Sequence, residues 1–201
     1  MNQRGQPAAS LPPSGLFAGL SAFPLTPMDE AGLDLEAFER LLRFLTDAGV
    51  DSLGVLGSTG CYPYLTRAER SQVLRVAVEA AGPAPVIAGI GALRTRDVLQ
   101  LAEDAQKLGA AGVLLAPVSY QKLSEDEVFG LYETVTRELS VPLCVYDNPA
   151  TTGFEFSDAL HGRIAHLPGV GSIKIPPVPL QPADAARERV RRLRALIPAH
   201  V

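Results

Sequence analysis

Lys174 is the residue of this 201-residue chain that says most about chemistry. It lies near the C-terminal end of an apolar run, Val170-Gly171-Ser172-Ile173-Lys174-Ile175. An ammonium held there loses part of its hydration, which disfavours the charged form and frees a neutral amine to attack a carbonyl. The same residue also fits a lysine that snorkels past the strand end or pairs with a carboxylate. Tyr146 closes another apolar run, ahead of Asp147-Asn148-Pro149-Ala150-Thr151-Thr152-Gly153, where Pro149 and Gly153 mark a defined turn. A phenol there suits proton transfer to and from an imine; the alternative is a core ring with its hydroxyl in water. Gly57-Ser58-Thr59-Gly60 follows a third run. Its glycines admit close approach, and its two hydroxyls and backbone N–H groups suit a carboxylate or a proton relay. As a bare tetrapeptide it equally fits a plain turn, and it is neither a Walker loop nor a dinucleotide fingerprint. Cys61 has no His or Asp partner set by the sequence and reads as an ordinary thiol. His161 and His166 lack metal-ligand spacing, and no metal site is read.

The elements that must hold these residues follow from the patterning. Six short apolar runs, at 16–25, 52–56, 85–90, 112–116, 141–146 and 170–175, are too short for helices and suit strands buried on both faces. Amphipathic stretches lie between them. Asp34 caps one bearing Leu35, Phe38, Leu41, Leu42 and Leu45. Thr66 with Glu69, and Ser124 with Glu127, form capping boxes. Thr95 opens the stripe Val98, Leu101, Ala102, Ala105 and Leu108, Ser157 opens another helix, and Val190, Leu193 and Ile197 keep helical spacing. The arginines at 187, 189, 191, 192 and 194 read as a solvated surface. Strand starts recur about every 25–35 residues, the size of a βα unit. Residues 47–56 also parallel residues 107–116, with Gly49 and Gly109 at matching left-handed helix ends. Alternation at this period means a parallel sheet, either doubly wound or a (β/α)8 barrel. The unusual residues follow several different strands, as on the C-terminal rim of a barrel, so the TIM (β/α)8-type barrel is the expected fold class. Only about six βα units are present where a whole barrel has eight.

Composition narrows the setting. Hydrophobic residues make up 47% and charged residues 20%, a globular profile, and the net charge of −4 argues against nucleic acid as a partner. No apolar run reaches the ~20 residues that span a bilayer, so no membrane is expected. Residues 1–10 show no apolar leader core, and a cytoplasmic location is expected. Two cysteines make neither a disulfide framework nor a four-ligand zinc site. Residues 1–14, with Gly5, Pro7, Pro12 and Pro13, read as a flexible tail, and 15–201 as the (partial) barrel domain.

Taken in order, Phe23-Pro24-Leu25-Thr26-Pro27, Gly57-Ser58-Thr59-Gly60, Ala116-Pro117, Tyr146-Asp147-Asn148-Pro149 with Thr152-Gly153, and Ile173-Lys174 resemble the dihydrodipicolinate synthase / N-acetylneuraminate lyase family. The resemblance runs from about Gly15 to the C-terminus. It implies a (β/α)8 barrel whose sixth-strand lysine forms an imine with pyruvate or another 2-keto acid, followed by making or breaking of a C–C bond, or dehydration, through the enamine. By position, Lys174 is the imine-forming residue, Tyr146 the proton shuttle and Ser58 the relay hydroxyl. Thr59, with Gly57, Gly60 and Thr152, would hold the keto acid. Tyr120 would match the aromatic that family members lend across a dimer interface. The family implies no metal or organic cofactor, and a homo-oligomer, dimer or tetramer. Three features depart from the pattern. Thr151 stands where dihydrodipicolinate synthases proper carry an arginine for the second substrate's carboxylate. Cys61 replaces an acidic residue, and strands seven and eight are absent. A lyase of the Schiff-base aldolase type is thus the expected function, with the synthase proper and a truncated non-catalytic homologue as alternatives.

Overall fold

The computed structural model describes residues 13–177 and 183–201. Six parallel strands, β1 (Ser21–Ala22), β2 (Ser52–Val55), β3 (Val86–Gly89), β4 (Gly112–Leu115), β5 (Leu143–Tyr146) and β6 (Val170–Lys174), follow one another in a single sheet in chain order. Each pairs in parallel with the next. Helices α1 (Leu35–Asp47), α2 (Arg67–Ala80), α3 (Thr95–Lys107), α4 (Glu125–Thr136), α5 (Asp158–Ala165) and α6 (Ala183–Arg194) alternate with them. This is the βα repeat of a (β/α)8 barrel carried through six units. No helix among the described residues is long and apolar enough to cross a membrane.

Local sequence sets the helix starts. Asp34 Oδ1 accepts from the Ala37 N–H at 2.9 Å, and Ser157 Oγ from the Leu160 N–H at 3.0 Å. Both capping boxes close, Glu69 returning to the Thr66 N–H and Glu127 to the Ser124 N–H, each at 2.7 Å. Gly49 and Gly109 take φ of +80° and +90° just past α1 and α3, where the chain turns back toward a strand. Thr95 does not cap α3: it is the first helical residue, and Arg94 precedes it without a side-chain cap.

The first strand is much shorter than the run expected over 16–25. Pro13–Leu16 forms a helical turn and Gly19 a left-handed bend, while Asp51 clasps Leu20 by its carboxylate and its N–H. Pro24 and Pro27 then withhold donors, so pairing stops at Ala22. A two-stranded antiparallel ribbon, Met28–Asp29 with Gly32–Leu33, follows and was not expected from the patterning. Of the tail expected over 1–14, the first twelve residues lie outside the described ones.

Two layers of core result. Outward-facing strand residues such as Val55, Val113, Leu115, Leu143 and Val145 pack with Phe38, Leu42, Val73, Val98, Tyr132 and Leu160 of the helices. Leu16, Ile87, Leu114 and Cys144 gather inside the sheet's curve with Phe17, Phe23 and Tyr146 around them. Arg70, on α2, is buried and donates to the carbonyls of Gly91 and Gly89 at 3.0 and 2.9 Å, fastening the end of β3. Burial lowers its guanidinium to about 10, partly offset by Tyr62 beneath it. The expected solvated arginine surface on α6 is laced to carboxylates: Arg189 and Arg192 reach Asp158, and Arg191 reaches Glu188.

Candidate active site

Strand alternation decides which side chains enter the barrel. On β5, Leu143 and Val145 face the helices, so Cys144 and Tyr146 face inward. On β6, Val170 packs outward, and strict alternation would send Ser172 and Lys174 outward as well. The ladder slips at this point: Leu143 pairs with Val170, but Cys144 pairs with Ser172 and Tyr146 with Lys174. One extra residue, Gly171, is taken up as a bulge, and the phase of β6 reverses beyond it. A Cβ on Gly171 would lie 2.9 Å from the Phe17 ring, so the bulge fits glycine.

The lysine thereby turns inward. Its Nζ lies 3.9 Å from the Tyr146 ring centroid and 5.2 Å from that of Phe23. Among the described residues the ammonium faces aromatic rings rather than a carboxylate, which sets aside the ion-pair reading. Phe17, Phe23, Ile87, Leu114, Cys144 and Ser172 line with it a cavity of about 230 Å3. Burial pushes the Cys144 thiol up to about 11, against the opposing pull of Ser172 and of Lys174, so it stays a neutral thiol there.

Gly57-Ser58-Thr59-Gly60 follows β2 as a tight turn closed by the Cys61 N–H on the Ser58 carbonyl at 3.2 Å. Left-handed residues stand on either side of it, Leu56 at φ 58° and Cys61 at φ 55°. Such backbone costs about 1–2 kcal/mol at each non-glycine residue, strain of the kind found at functional sites. The surroundings hold it: Thr26 donates its hydroxyl to the Gly60 carbonyl at 2.8 Å, and a Cβ on Gly60 would sit 3.1 Å from the Leu56 nitrogen. The motif at 23–27 thus serves the turn at 57–60. Gly57 is buried against Phe23, the ring that also faces Lys174.

Lys174, Tyr146, Ser58 and Gly57 are therefore brought together. Thr59 is exposed, and Thr152 gives its hydroxyl to the Asn148 carbonyl at 3.0 Å. Tyr120 is 92% exposed on the loop after β4.

Two neighbours of Tyr146 escaped the sequence reading. Asn148 donates from its side-chain Nδ2 to Tyr146 Oη at 2.9 Å and to Ser58 Oγ at 3.1 Å. Asp147 points the other way, toward α5, where its Oδ2 lies 3.3 Å from Nε2 of the fully buried His161. The ring of His161 is stacked on Phe156 at 5.0 Å, and neither ring nitrogen makes a hydrogen bond of good geometry. The Asp147 N–H donates to the Lys174 carbonyl at 3.0 Å, tying the ends of β5 and β6. A polar residue in a turn gives no local sign of a partner 90 residues away, as Ser58 is from Asn148.

With this geometry in view, comparison with known proteins agrees across the chain. A model of the dihydrodipicolinate synthetase family matches residues 16–185. The 4-hydroxy-tetrahydrodipicolinate synthase of Methylococcus capsulatus is 35% identical over 175 residues, 86% of this chain and 58% of that one. Dihydrodipicolinate synthase from Agrobacterium tumefaciens superposes with a TM-score of 0.87 at 44% identity, covering 94% of this chain and 63% of its own. The chloride-inhibited dihydrodipicolinate synthase of Acinetobacter baumannii, complexed with pyruvate, superposes at 0.80 with 27% identity, covering 89% and 61%. The chain spans about three fifths of the length of these relatives.

Proposed function

This chain belongs to the dihydrodipicolinate synthetase family, and from that premise we propose that it carries the imine-forming half of a Schiff-base lyase acting on pyruvate or a related 2-keto acid. One observation carries the reading: an inward lysine lies against the ring of an inward tyrosine, whose hydroxyl shares an amide donor with Ser58. The pyruvate held by the Acinetobacter baumannii relative supports the choice of keto acid.

In the proposed reaction the neutral Lys174 amine attacks C2 of the keto acid and the carbonyl oxygen takes up a proton. Tyr146, relayed by Ser58, returns a proton to the resulting hydroxyl, which leaves as water and gives the imine. Loss of a C3 proton yields the enamine, whose carbon adds to an aldehyde; the reverse sequence cleaves the bond. The cationic nitrogen stabilises the carbanion throughout. Thr59 and the 57–60 N–H groups would take the carboxylate. Tyr120 is exposed enough to meet a second copy in a homo-oligomer. Thr151 offers no cation for a second carboxylate, which favours a lyase with another acceptor over the synthase proper.

The test is intact mass after incubation with pyruvate and borohydride, followed by peptide mapping. One reduced pyruvyl adduct is expected on Lys174, and none in Lys174→Ala. An adduct that survives the substitution overturns the assignment. No adduct in a folded sample favours a non-catalytic homologue.

A further inference from the structure

Asn148 occupies the N-cap position of the turn Pro149–Thr152, where an asparagine ordinarily turns its side chain onto the first backbone N–H groups. Here it makes no such cap. The N–H of Thr151, one that such a cap would take, is held instead by the Asn148 backbone carbonyl at 3.1 Å, to which the hydroxyls of Thr151 and Thr152 bond too. The side chain is thus released from its local task. It spends both protons of Nδ2 on Tyr146 Oη and Ser58 Oγ. Departure from a local rule, with the displaced task covered by other groups, marks a position set by function rather than by folding.

The direction of these bonds has a chemical consequence. An amide nitrogen only donates, so both hydroxyl oxygens are acceptors toward Asn148 and each keeps its own hydrogen for another partner. One amide thus holds both and polarises them the same way, and one of the two hydroxyls belongs to the ring against which Lys174 Nζ lies. We propose that Asn148 is a positioning residue which orients the Tyr146 and Ser58 hydroxyls as proton donors toward the species bound at Lys174. This rests on the Schiff-base reading above, and the test separates the two.

Asn148→Asp changes hardly any volume but replaces the donor with an acceptor, drawing both hydroxyl protons onto the new carboxylate. In borohydride trapping, the maximal rate of pyruvate adduct formation is expected to fall about tenfold or more, while the pyruvate concentration at half-maximal rate changes less than about twofold. A loss confined to the half-maximal concentration, or no loss at all, overturns the proposal. The second measurement needs neither pyruvate nor a stable Asn148 variant. In the 15N-labelled wild-type chain, the Asn148 side-chain N–H resonances are expected to move in Tyr146→Phe and again in Ser58→Ala. If they ignore both substitutions, the positioning role fails whatever the trapping shows; if they respond while the wild type forms no adduct, the contact stands and the Schiff-base reading falls.

Discussion

Tyr146 and His161 show two ways in which single side chains at this site matter. The Tyr146 ring lies under the Lys174 side-chain nitrogen, and its hydroxyl is the end to which we assign proton transfer. Removing the hydroxyl alone leaves the ring contact, so Tyr146→Phe is expected to slow turnover by about 10²–10⁴-fold while the pyruvate adduct on Lys174 stays detectable. Complete loss of the adduct would mean that the phenol is needed to form the imine at all. His161 acts on the opposite face. Its ring fills a fully buried site beside Asp147 and stacked on Phe156, and deleting it leaves an empty pocket there. Truncating a fully buried aromatic ring costs about 3–5 kcal/mol, so His161→Ala should lower urea stability by that order. A change within about 0.5 kcal/mol, the usual range for a surface site, would show that the ring is not part of the packed core.

At the scale of elements the bulge at Gly171 is decisive, because it alone turns the end of β6 inward. Deleting Gly171 restores plain alternation and is expected to swing Lys174 toward the helices. Trapping with pyruvate should then fail, while far-ultraviolet circular dichroism keeps its helical signature. An adduct formed at the wild-type rate would show that the lysine finds the barrel interior by another route. The sequence made much of the element plan legible. Alternating apolar runs and amphipathic stretches, both capping boxes and the paired glycines at 49 and 109 are local signals, and local physics writes them directly. Lys174 and Tyr146 stood out because polar groups at the ends of apolar strands are unusual, whereas Ser58 was marked by the family resemblance. Asn148 and the Asp147–His161 pair did not stand out, since their roles depend on partners that only the folded chain supplies. The short β1 escaped for a related reason: just before its first residue, Leu20 is held by Asp51, a contact across 31 residues. The bulge was equally hidden, because Gly171 in a strand carries no mark of the register it breaks.

Across the whole molecule, β1 and β6 are the edges of the sheet, and among the described residues each has a strand neighbour on one side only. Edge strands open before central ones, so the amides of Ile173 and Lys174 should exchange with solvent well ahead of those of Leu114 and Leu115 on β4. Equal protection across the sheet would mean that opening is global and the edges are not weak points. The chain-order pairing of the strands also bears on how the protein is made. Each strand after the first follows in the chain a strand with which it pairs, so assembly from the N-terminal side need not wait for distant segments. The hydroxyls of Ser58 and Tyr146 are then in position before the amine arrives. On the proposed Schiff-base reading, a nascent chain halted short of β6 holds both hydroxyls but lacks the amine, and docking of the sixth strand supplies the one group that would react.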